Sequence, residues 1–307
     1  MANSKKTAVL LLAHGSPDSV DQVPEFLLRV TGGRPLPQPV VDEVKHRYAL
    51  IGRSPLTELT LQQAELLKRE ISMPVYVGMR NWNPFIADAV SAMVADGIEH
   101  AVAICLAPQN SRTSVGLYRS ALADNSPSFS VDFVESWHDQ PALIRAFAEK
   151  LRTGWECASR EATEKIPIIF TAHSVPERTI ADGDPYESQT KETALLVARE
   201  AALASEDWTF AFQSQGMSGG AWLGPRVEDT ILSLKEKGHR NVFLQPVGFL
   251  CDHVEVLYDI DIGFKEFAAK QGIRLWRAQS LNDSPLLAAA LADVARSQLS
   301  QSLLTSK

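Results

Sequence analysis

Ala8-Val9-Leu10-Leu11-Leu12-Ala13-His14-Gly15-Ser16-Pro17 and Ile168-Ile169-Phe170-Thr171-Ala172-His173-Ser174-Val175-Pro176 repeat one pattern. In each stretch an apolar run suited to a buried strand ends in Ala-His, and a proline closes the turn. Open α/β sheets bind their ligands beyond the carboxyl ends of the strands. Histidine is the commonest metal ligand and a base near neutral pH. The repeat therefore predicts two similar half-domains that present histidines to one cleft, and it favours metal chemistry.

Strand-like and helix-like segments alternate along the rest of the chain, as in parallel sheets with helical crossovers. The sequence predicts an α/β fold of two similar Rossmann-like half-domains, whose parallel sheets are flanked by helices. A polar segment at Thr153–Lys165 separates the predicted half-domains, 1–152 and 166–307. The predicted strands are Ala8–Leu12, Pro74–Gly78, Ala101–Ala107, Ser130–Glu135, Pro167–Thr171, Thr209–Gln213, Asn241–Pro246 and Ile273–Arg277.

The predicted helices lie between these strands. Ser54-Pro55 opens one of them, with serine as N-cap and proline in the first turn. The predicted helices are Pro55–Glu70, Pro84–Ala95, Thr113–Leu122, Gln140–Ala158, Tyr186–Ala204, Arg226–Lys235, Asp252–Ala269 and Ser284–Leu299.

Composition excludes several classes of protein. The net charge of -7 argues against nucleic-acid binding, because such domains are usually basic. No window reaches the roughly 18 apolar residues of a membrane span, so stable membrane insertion is not expected. Three separated cysteines without a CxxC motif predict reduced thiols in a cytoplasmic protein and too few ligands for an iron–sulfur cluster.

The second histidine stands in a longer motif that runs on to Gly183-Asp184-Pro185-Tyr186. This run resembles the signature of ferrochelatases, the enzymes that insert ferrous iron into a porphyrin to make haem. Further resemblances follow in the family's order, at Gln213-Ser214-Gln215-Gly216, Trp222-Leu223-Gly224-Pro225 and Pro246-Val247-Gly248-Phe249-Leu250-Cys251-Asp252-His253-Val254-Glu255. The resemblance implies a class II chelatase-like fold, with His173 and Glu255 facing each other across the porphyrin cleft.

The chemistry of metallation fits this pair. The reaction removes two pyrrole protons and delivers Fe(II), so a neutral imidazole is useful both as a ligand and as a proton acceptor. His173 and Glu255 are therefore the expected catalytic and metal-binding residues. On a continuous helix Glu255, Asp259 and Glu266 share one face, which is either a metal relay, with Asp259 the best candidate, or a solvated acidic face.

His14 departs from the family, whose relatives often carry tyrosine, phenylalanine or methionine at the first strand tip. It also resembles the metal-binding histidine of small chelatases that act on sirohydrochlorin. We expect His14 either to face the porphyrin as a proximal ligand to iron or to be a turn histidine bonded to the backbone.

Other candidate porphyrin-binding residues lie in segments that line the porphyrin mouth in relatives. Guanidinium groups match propionate carboxylates in geometry and charge, although each arginine can equally be an ordinary surface residue. These candidates are Arg34, Arg47, Arg53, Ser54, Arg80 and Tyr118.

The family uses either protoporphyrin IX or coproporphyrin III. Membrane-associated protoporphyrin enzymes tend to carry a longer apolar lip where this chain has a short polar segment at Val30–Pro37, which favours coproporphyrin III. The alternatives are a cobalt or nickel chelatase for sirohydrochlorin and a non-catalytic haem-binding or tetrapyrrole-binding protein. We expect Fe(II) as substrate, no tightly bound cofactor, and at most transient contacts with neighbouring enzymes of haem synthesis.

Overall fold

Two four-stranded parallel sheets form the framework of the chain. The computed structural model describes residues 6–162, 164–215 and 220–305, with side chains described up to residue 301. All eight predicted strands are present within about two residues of their predicted ends. They are β1 Thr7–Ala13, β2 Val75–Met79, β3 His100–Cys105, β4 Ser130–Val134, β5 Ile168–His173, β6 Trp208–Gln213, β7 Asn241–Pro246 and β8 Arg274–Arg277.

The two sheets have the same strand order. The first runs β2-β1-β3-β4 and the second runs β6-β5-β7-β8, with every neighbouring pair parallel. The strand that leads to a repeated histidine, β1 before His14 and β5 ending at His173, is therefore an inner strand in each sheet. This confirms the predicted α/β architecture of two similar sheets.

Helices connect the strands. Four of the predicted helices lie within two residues of their predicted bounds at both ends, and α6 and α12 extend beyond their predicted ends. The helices are α1 Val23–Val30, α2 Gln38–Ile51, α3 Leu56–Ile71, α4 Ile86–Ala95, α5 Val115–Asp124, α6 Pro141–Glu161, α7 Glu177–Ala181, α8 Tyr186–Glu200, α9 Val227–Glu236, α10 Val254–Leu257, α11 Lys265–Lys270 and α12 Pro285–Thr305, with single 3₁₀ turns at Val20–Gln22 and Ser205–Asp207.

Helices α1, α2 and the short α7 are not among those predicted from the sequence. Along α2 only Tyr48 is buried, so this helix lacks the apolar stripe by which a helix is recognised in a sequence. Proline stands within the first two residues of both α1 and α2, where its missing N–H costs nothing. The prolines were thus the available signal for these two helices.

The predicted continuous helix Asp252–Ala269 is wrong. Helix α10 has only four residues, and a π-helical segment, Asp259–Phe264, joins it to α11. In that segment the Gly263 amide donates to the Tyr258 carbonyl, five residues back, at 2.9 Å. A π turn has more residues than an α turn, so acids spaced for one face of an α-helix no longer share a face here.

Packing groups the chain into two compact units. The first comprises the residues up to Pro108, Ser114–Trp137 and the residues from Asn282 onward; the second comprises Gln109–Thr113 and His138–Leu281. The predicted half-domains, 1–152 and 166–307, divide the chain only once. They place most of α6 in the first half and α12 in the second, whereas packing groups α6 with the second unit and α12 with the first. Helix α12 belongs with the first sheet because it packs on α3, where Arg296 donates to the Glu70 carbonyl at 2.7 Å.

Each unit has its own apolar core. In the first unit, β1 and β3 bury their side chains against α4 and α5; in the second, β5 and β7 pack against α9, α10 and the π-helical segment. Strands that are covered on both faces read as continuous apolar runs, which is why the inner strands β1, β3, β5 and β7 gave the clearest signal. Among the described residues, no helix combines the length and apolar character that crossing a bilayer requires.

Candidate active site

His173 ends β5 and is the centre of the second unit's candidate site. Its ring nitrogen Nδ1 donates to the carbonyl of Ser174, since a carbonyl can only accept. The hydrogen bond fixes the proton on Nδ1 and turns Nε2 toward Glu255, whose Oε1 is 3.5 Å away. In the neutral ring, Nε2 therefore presents its lone pair to the site, as a metal ligand or a base requires.

Glu255 lies in the first turn of α10 with a side chain that is 39% exposed. It contacts two histidines, because His253 Nε2 is 3.5 Å from its second carboxylate oxygen. Burial opposes its charged form, but His173 and His253 outweigh burial and hold the pKa of Glu255 well below its ordinary value. The carboxylate is therefore ionised at neutral pH.

The pKa of His173 is shifted in the opposite direction. Burial alone lowers the pKa of an imidazole, but the carboxylate of Glu255 outweighs this effect and raises the pKa of His173 above its ordinary value. Asp259 adds a smaller contribution of the same sign. The site thus pairs a strengthened base with a permanent negative charge.

His253 also belongs to this site, although the sequence pattern did not indicate it. It precedes α10 in extended backbone, and its Nδ1 donates to the Cys251 carbonyl at 3.0 Å. Its tautomer is therefore fixed in the same way as that of His173. In the predicted helix beginning at Asp252, the His253 ring points away from Glu255. The spacing of two residues between His253 and Glu255 was the available signal, because the extended backbone before α10 brings the two side chains together.

The acids beyond Glu255 separate into different environments. Asp259 accepts a hydrogen bond from Ser214 and lies close enough to His173 to affect its pKa. Asp261 pairs with the partly buried Arg277, and Glu266 is an exposed residue whose partner is Lys270. Of the stripe that the sequence predicted, only Glu255 and Asp259 are brought to His173. Within the described ranges, no group of three or more His, Cys, Asp or Glu side chains has a geometry that could hold a metal ion.

The Gly-Asp-Pro-Tyr motif stabilises the backbone around His173 through hydrogen bonds of Asp184 and Tyr186. Asp184 accepts from the Arg112 amide at 2.7 Å, the Ser111 hydroxyl at 3.1 Å and the Tyr186 amide at 3.0 Å. Tyr186 is buried and hydrogen-bonds to the backbone of His173. The motif is therefore a structural support for the histidine. Gly216 of the Gln-Ser-Gln-Gly motif lies outside the described residues.

The first strand tip repeats the histidine geometry. His14 is exposed, and its Nδ1 donates to the Gly15 carbonyl at 3.0 Å. Its ring packs edge-to-face on Phe26, 5.8 Å between centroids, and Phe26 in turn contacts Tyr48 and Trp82. Both alternatives for this residue retain support, because the backbone hydrogen bond leaves Nε2 as the nitrogen that can coordinate a metal.

Arg80 is a candidate arginine whose backbone is bonded to the first strand tip. Its amide donates to the Ala13 carbonyl at 2.9 Å, and its side chain lies beside Tyr118. Burial lowers the pKa of Arg80. Within the described part of the chain this guanidinium has no carboxylate partner, and a half-buried cation without a counter-ion suits an anionic ligand.

The remaining candidates have partners within the chain. Arg34 donates to the Thr31 carbonyl at 3.2 Å, Arg47 pairs with Glu43 at 2.9 Å, and Arg53 is 3.8 Å from Asp18. Ser54 is buried, and its hydroxyl accepts from the Leu56 amide at 3.5 Å at the start of α3. The structure therefore gives these four residues local roles and does not test their contact with a porphyrin.

Comparison with known proteins agrees with these features. The ferrochelatase family model matches residues 6–299. A ferrochelatase of Acidobacterium capsulatum is 54% identical, covering 96% of this chain and 95% of the relative, and a coproporphyrin III ferrochelatase of Geobacillus is 35% identical, covering 94% and 97%.

A solved structure shows the same fold at low identity. The sirohydrochlorin chelatase SirB of Bacillus subtilis subspecies spizizenii, in complex with cobalt, has a TM-score of 0.57 at 13% identity and covers 95% of each chain. This likeness confirms the predicted class II chelatase-like fold. With the family model spanning nearly its whole length, this chain belongs to the ferrochelatase family.

Proposed function

We propose that the chain inserts Fe(II) into a porphyrin in haem biosynthesis and that coproporphyrin III is its preferred substrate. The observation that carries the proposal is the fixed orientation of His173, whose Nε2 faces the carboxylate of Glu255 at 3.5 Å. Fe(II) binds imidazole nitrogen and carboxylate oxygen, and both are present here on a site that belongs to the ferrochelatase family.

Insertion forms bonds from iron to four pyrrole nitrogens and releases two protons. The lone pair of His173 Nε2 can take a proton or bind iron, but not both at once. Because its pKa is raised, we assign the proton to His173 and the electrostatic hold on the incoming dication to Glu255. Asp259, close to the same ring, is the next acceptor for the released proton or the next ligand for arriving metal.

The substrate preference rests on charge. Coproporphyrin III carries four carboxylates, and Arg80 offers a half-buried guanidinium without an acidic partner in the described ranges. A desolvated guanidinium binds carboxylates strongly. The polar segment Val30–Pro37 and the four relatives named coproporphyrin III ferrochelatase, each 35–36% identical, support the same choice.

The decisive experiment is anaerobic Fe(II) insertion into coproporphyrin III and protoporphyrin IX, with sirohydrochlorin and Co(II) as a third arm. We expect turnover on coproporphyrin III to exceed that on protoporphyrin IX, and loss of at least about 100-fold in kcat in His173→Ala, in line with removal of a general base. His138→Ala, which breaks a His–Glu pair at 3.0 Å elsewhere in the second unit, is the matched control.

Three results would reject the proposal. Near-normal turnover in His173→Ala removes the catalytic assignment, and equal use of the two porphyrins removes the preference. Tight haem binding without any metal insertion by the wild-type protein favours a non-catalytic tetrapyrrole carrier instead.

We further propose that His14 is a proximal ligand to the iron of product haem. Its Nδ1 hydrogen bond to Gly15 leaves Nε2 as the coordinating nitrogen. Ferric haem added to the wild-type protein should give the absorption and paramagnetic-resonance spectra of histidine ligation. His14→Ala should lose them and recover them with added imidazole, whereas His46→Ala, an exposed histidine of the same unit, should not differ from wild type. Identical spectra for His14→Ala and wild type would exclude this ligand.

The proposal includes a cytoplasmic enzyme that works without a resident cofactor and meets other haem-pathway enzymes only transiently. Three cysteines are too few for a four-thiolate cluster. Elemental analysis of the purified protein should find less than stoichiometric iron and sulfide, and a stoichiometric cluster would contradict this part.

A further inference from the structure

Arg277 is a partly buried arginine at the carboxyl end of β8, the edge strand of the second sheet. Its side chain is only 12% exposed. The guanidinium forms a two-pronged contact with Asp261, with Nε at 2.9 Å from Oδ1 and a terminal nitrogen at 2.7 Å from Oδ2. The same terminal nitrogen is 3.2 Å from Asp252. One cation thus joins two carboxylates from different parts of the chain.

The two carboxylates flank the helix that carries Glu255. Asp252 precedes α10 by two residues, and Asp261 lies in the π-helical segment that follows it. Ser280 donates to Asp252 at 2.8 Å, and Lys265 pairs with Asp261 at 3.1 Å. The contacts of Arg277 therefore close a loop around Glu255 and tie both of its ends to the sheet.

Such a tie is needed because neither α10 nor the π-helical segment is stable alone. A helix of four residues is too short to pay the cost of nucleation, and π-helical turns are rare in isolation. Planar bidentate pairing holds a carboxylate in position as well as in charge. Burial opposes both charged forms, but the ion-pair contacts outweigh it, since the pKa of Asp261 is lowered and that of Arg277 is raised.

We propose that Arg277 is a positioning residue for metal insertion, which sets the place of Glu255 and His253 through Asp252 and Asp261 without touching porphyrin or metal. The inference rests on the proposed function, because it assigns Glu255 a part in that reaction. It predicts that Arg277 affects kcat and leaves the KM for porphyrin unchanged, since the porphyrin itself is not held by this group.

The test compares Arg277→Met with Arg277→Lys in the anaerobic insertion assay on the full chain. We expect Arg277→Met to lower kcat by about 10- to 100-fold, the usual loss when a partner that orients a ligand is removed, with KM within about twofold of wild type. Arg277→Lys keeps the charge without the planar fork and should recover part of the loss. Arg274→Met removes an exposed arginine of the same strand, paired with Glu161, and should match wild type.

Folded Arg277→Met protein with wild-type kcat, or with a loss confined to KM, overturns the proposal. If Arg277→Met does not fold, Asp261→Asn replaces it, and an unchanged kcat there overturns the proposal equally.

Hydrogen exchange by mass spectrometry separates this proposal from the proposed function. If wild type metallates no porphyrin, the proposed function fails, and the tie is judged by exchange alone. Arg277→Lys should then raise deuterium uptake in peptides covering 251–264 and not in those covering β5. Unchanged uptake in 251–264 overturns the positioning role.

Discussion

Gly15 allows the first histidine tip to lie against Trp82, and replacing this glycine by alanine isolates that packing. Gly15 has φ +83°, and a Cβ there would stand 2.8 Å from both the Cβ and the backbone nitrogen of Trp82. Positive φ costs an L-residue about 1–2 kcal/mol, and overpacking of a filled core costs about 1–3 kcal/mol. We therefore expect Gly15→Ala to lower the free energy of unfolding by about 2–5 kcal/mol.

Gly97→Ala is the matched control. Gly97 has φ +68° in the same unit, and a Cβ there would meet nothing within 4 Å. It should incur the backbone cost alone, about 1–2 kcal/mol. The difference between the two variants then measures the clash with Trp82.

Thermal and urea unfolding of both variants, followed by circular dichroism, provide the measurement. For folding units of about 150–250 residues, each kcal/mol lowers Tm by about 2–4 °C. Gly15→Ala should thus melt at least about 2 °C below Gly97→Ala. Equal destabilisation of the two variants would refute the packing argument, because it would leave only the shared backbone cost.

Two further predictions concern the second unit. The His173–Glu255 pair should stabilise the fold most at pH values between the ordinary pKa of glutamate and that of histidine, about 4.3–6.5. The raised pKa of His173 gives stability that is lost as pH rises through it, and the lowered pKa of Glu255 gives stability that is lost as pH falls through it. The difference in Tm between wild type and Glu255→Gln should accordingly shrink as pH rises through the raised pKa of His173, and a constant difference would contradict the pairing. Asp184→Asn should cost about 2–4 kcal/mol, because Asp184 accepts three hydrogen bonds, two of them from buried or half-buried groups. Asp182→Asn, which removes exposed ion pairs with Arg112 and Arg178, should cost less than about 1 kcal/mol; similar losses in urea titrations would show that Asp184 is no special support.

The strands and both histidine tips could be predicted because their signals are local. A strand buried on both faces must be apolar along its length, and the residue at its end is read directly from the sequence. The same reasoning found His173, and the family resemblance found Glu255. These features need no knowledge of what lies elsewhere in the chain.

The parts that escaped prediction depend on distant contacts. The break between α10 and α11 has no proline, and Gly263 is the only glycine in it. The acids that flank the break are held by Arg277, at least 16 residues from either of them. His253 was missed for the same reason, since its ring reaches Glu255 only when the backbone before α10 is extended. A helical pattern in the sequence cannot report a break that a tertiary ion pair maintains.

Helix α12 gives the chain an unusual order of assembly. Its residues follow the whole of the second unit, yet they pack on α3 of the first, where Gln63 also donates to the Asn282 carbonyl at 2.8 Å. On the ribosome, the second sheet has all its strands before the helix that covers part of the first sheet has emerged. The first unit must therefore wait, with part of its surface uncovered, for a segment that is made only after the whole of the second unit.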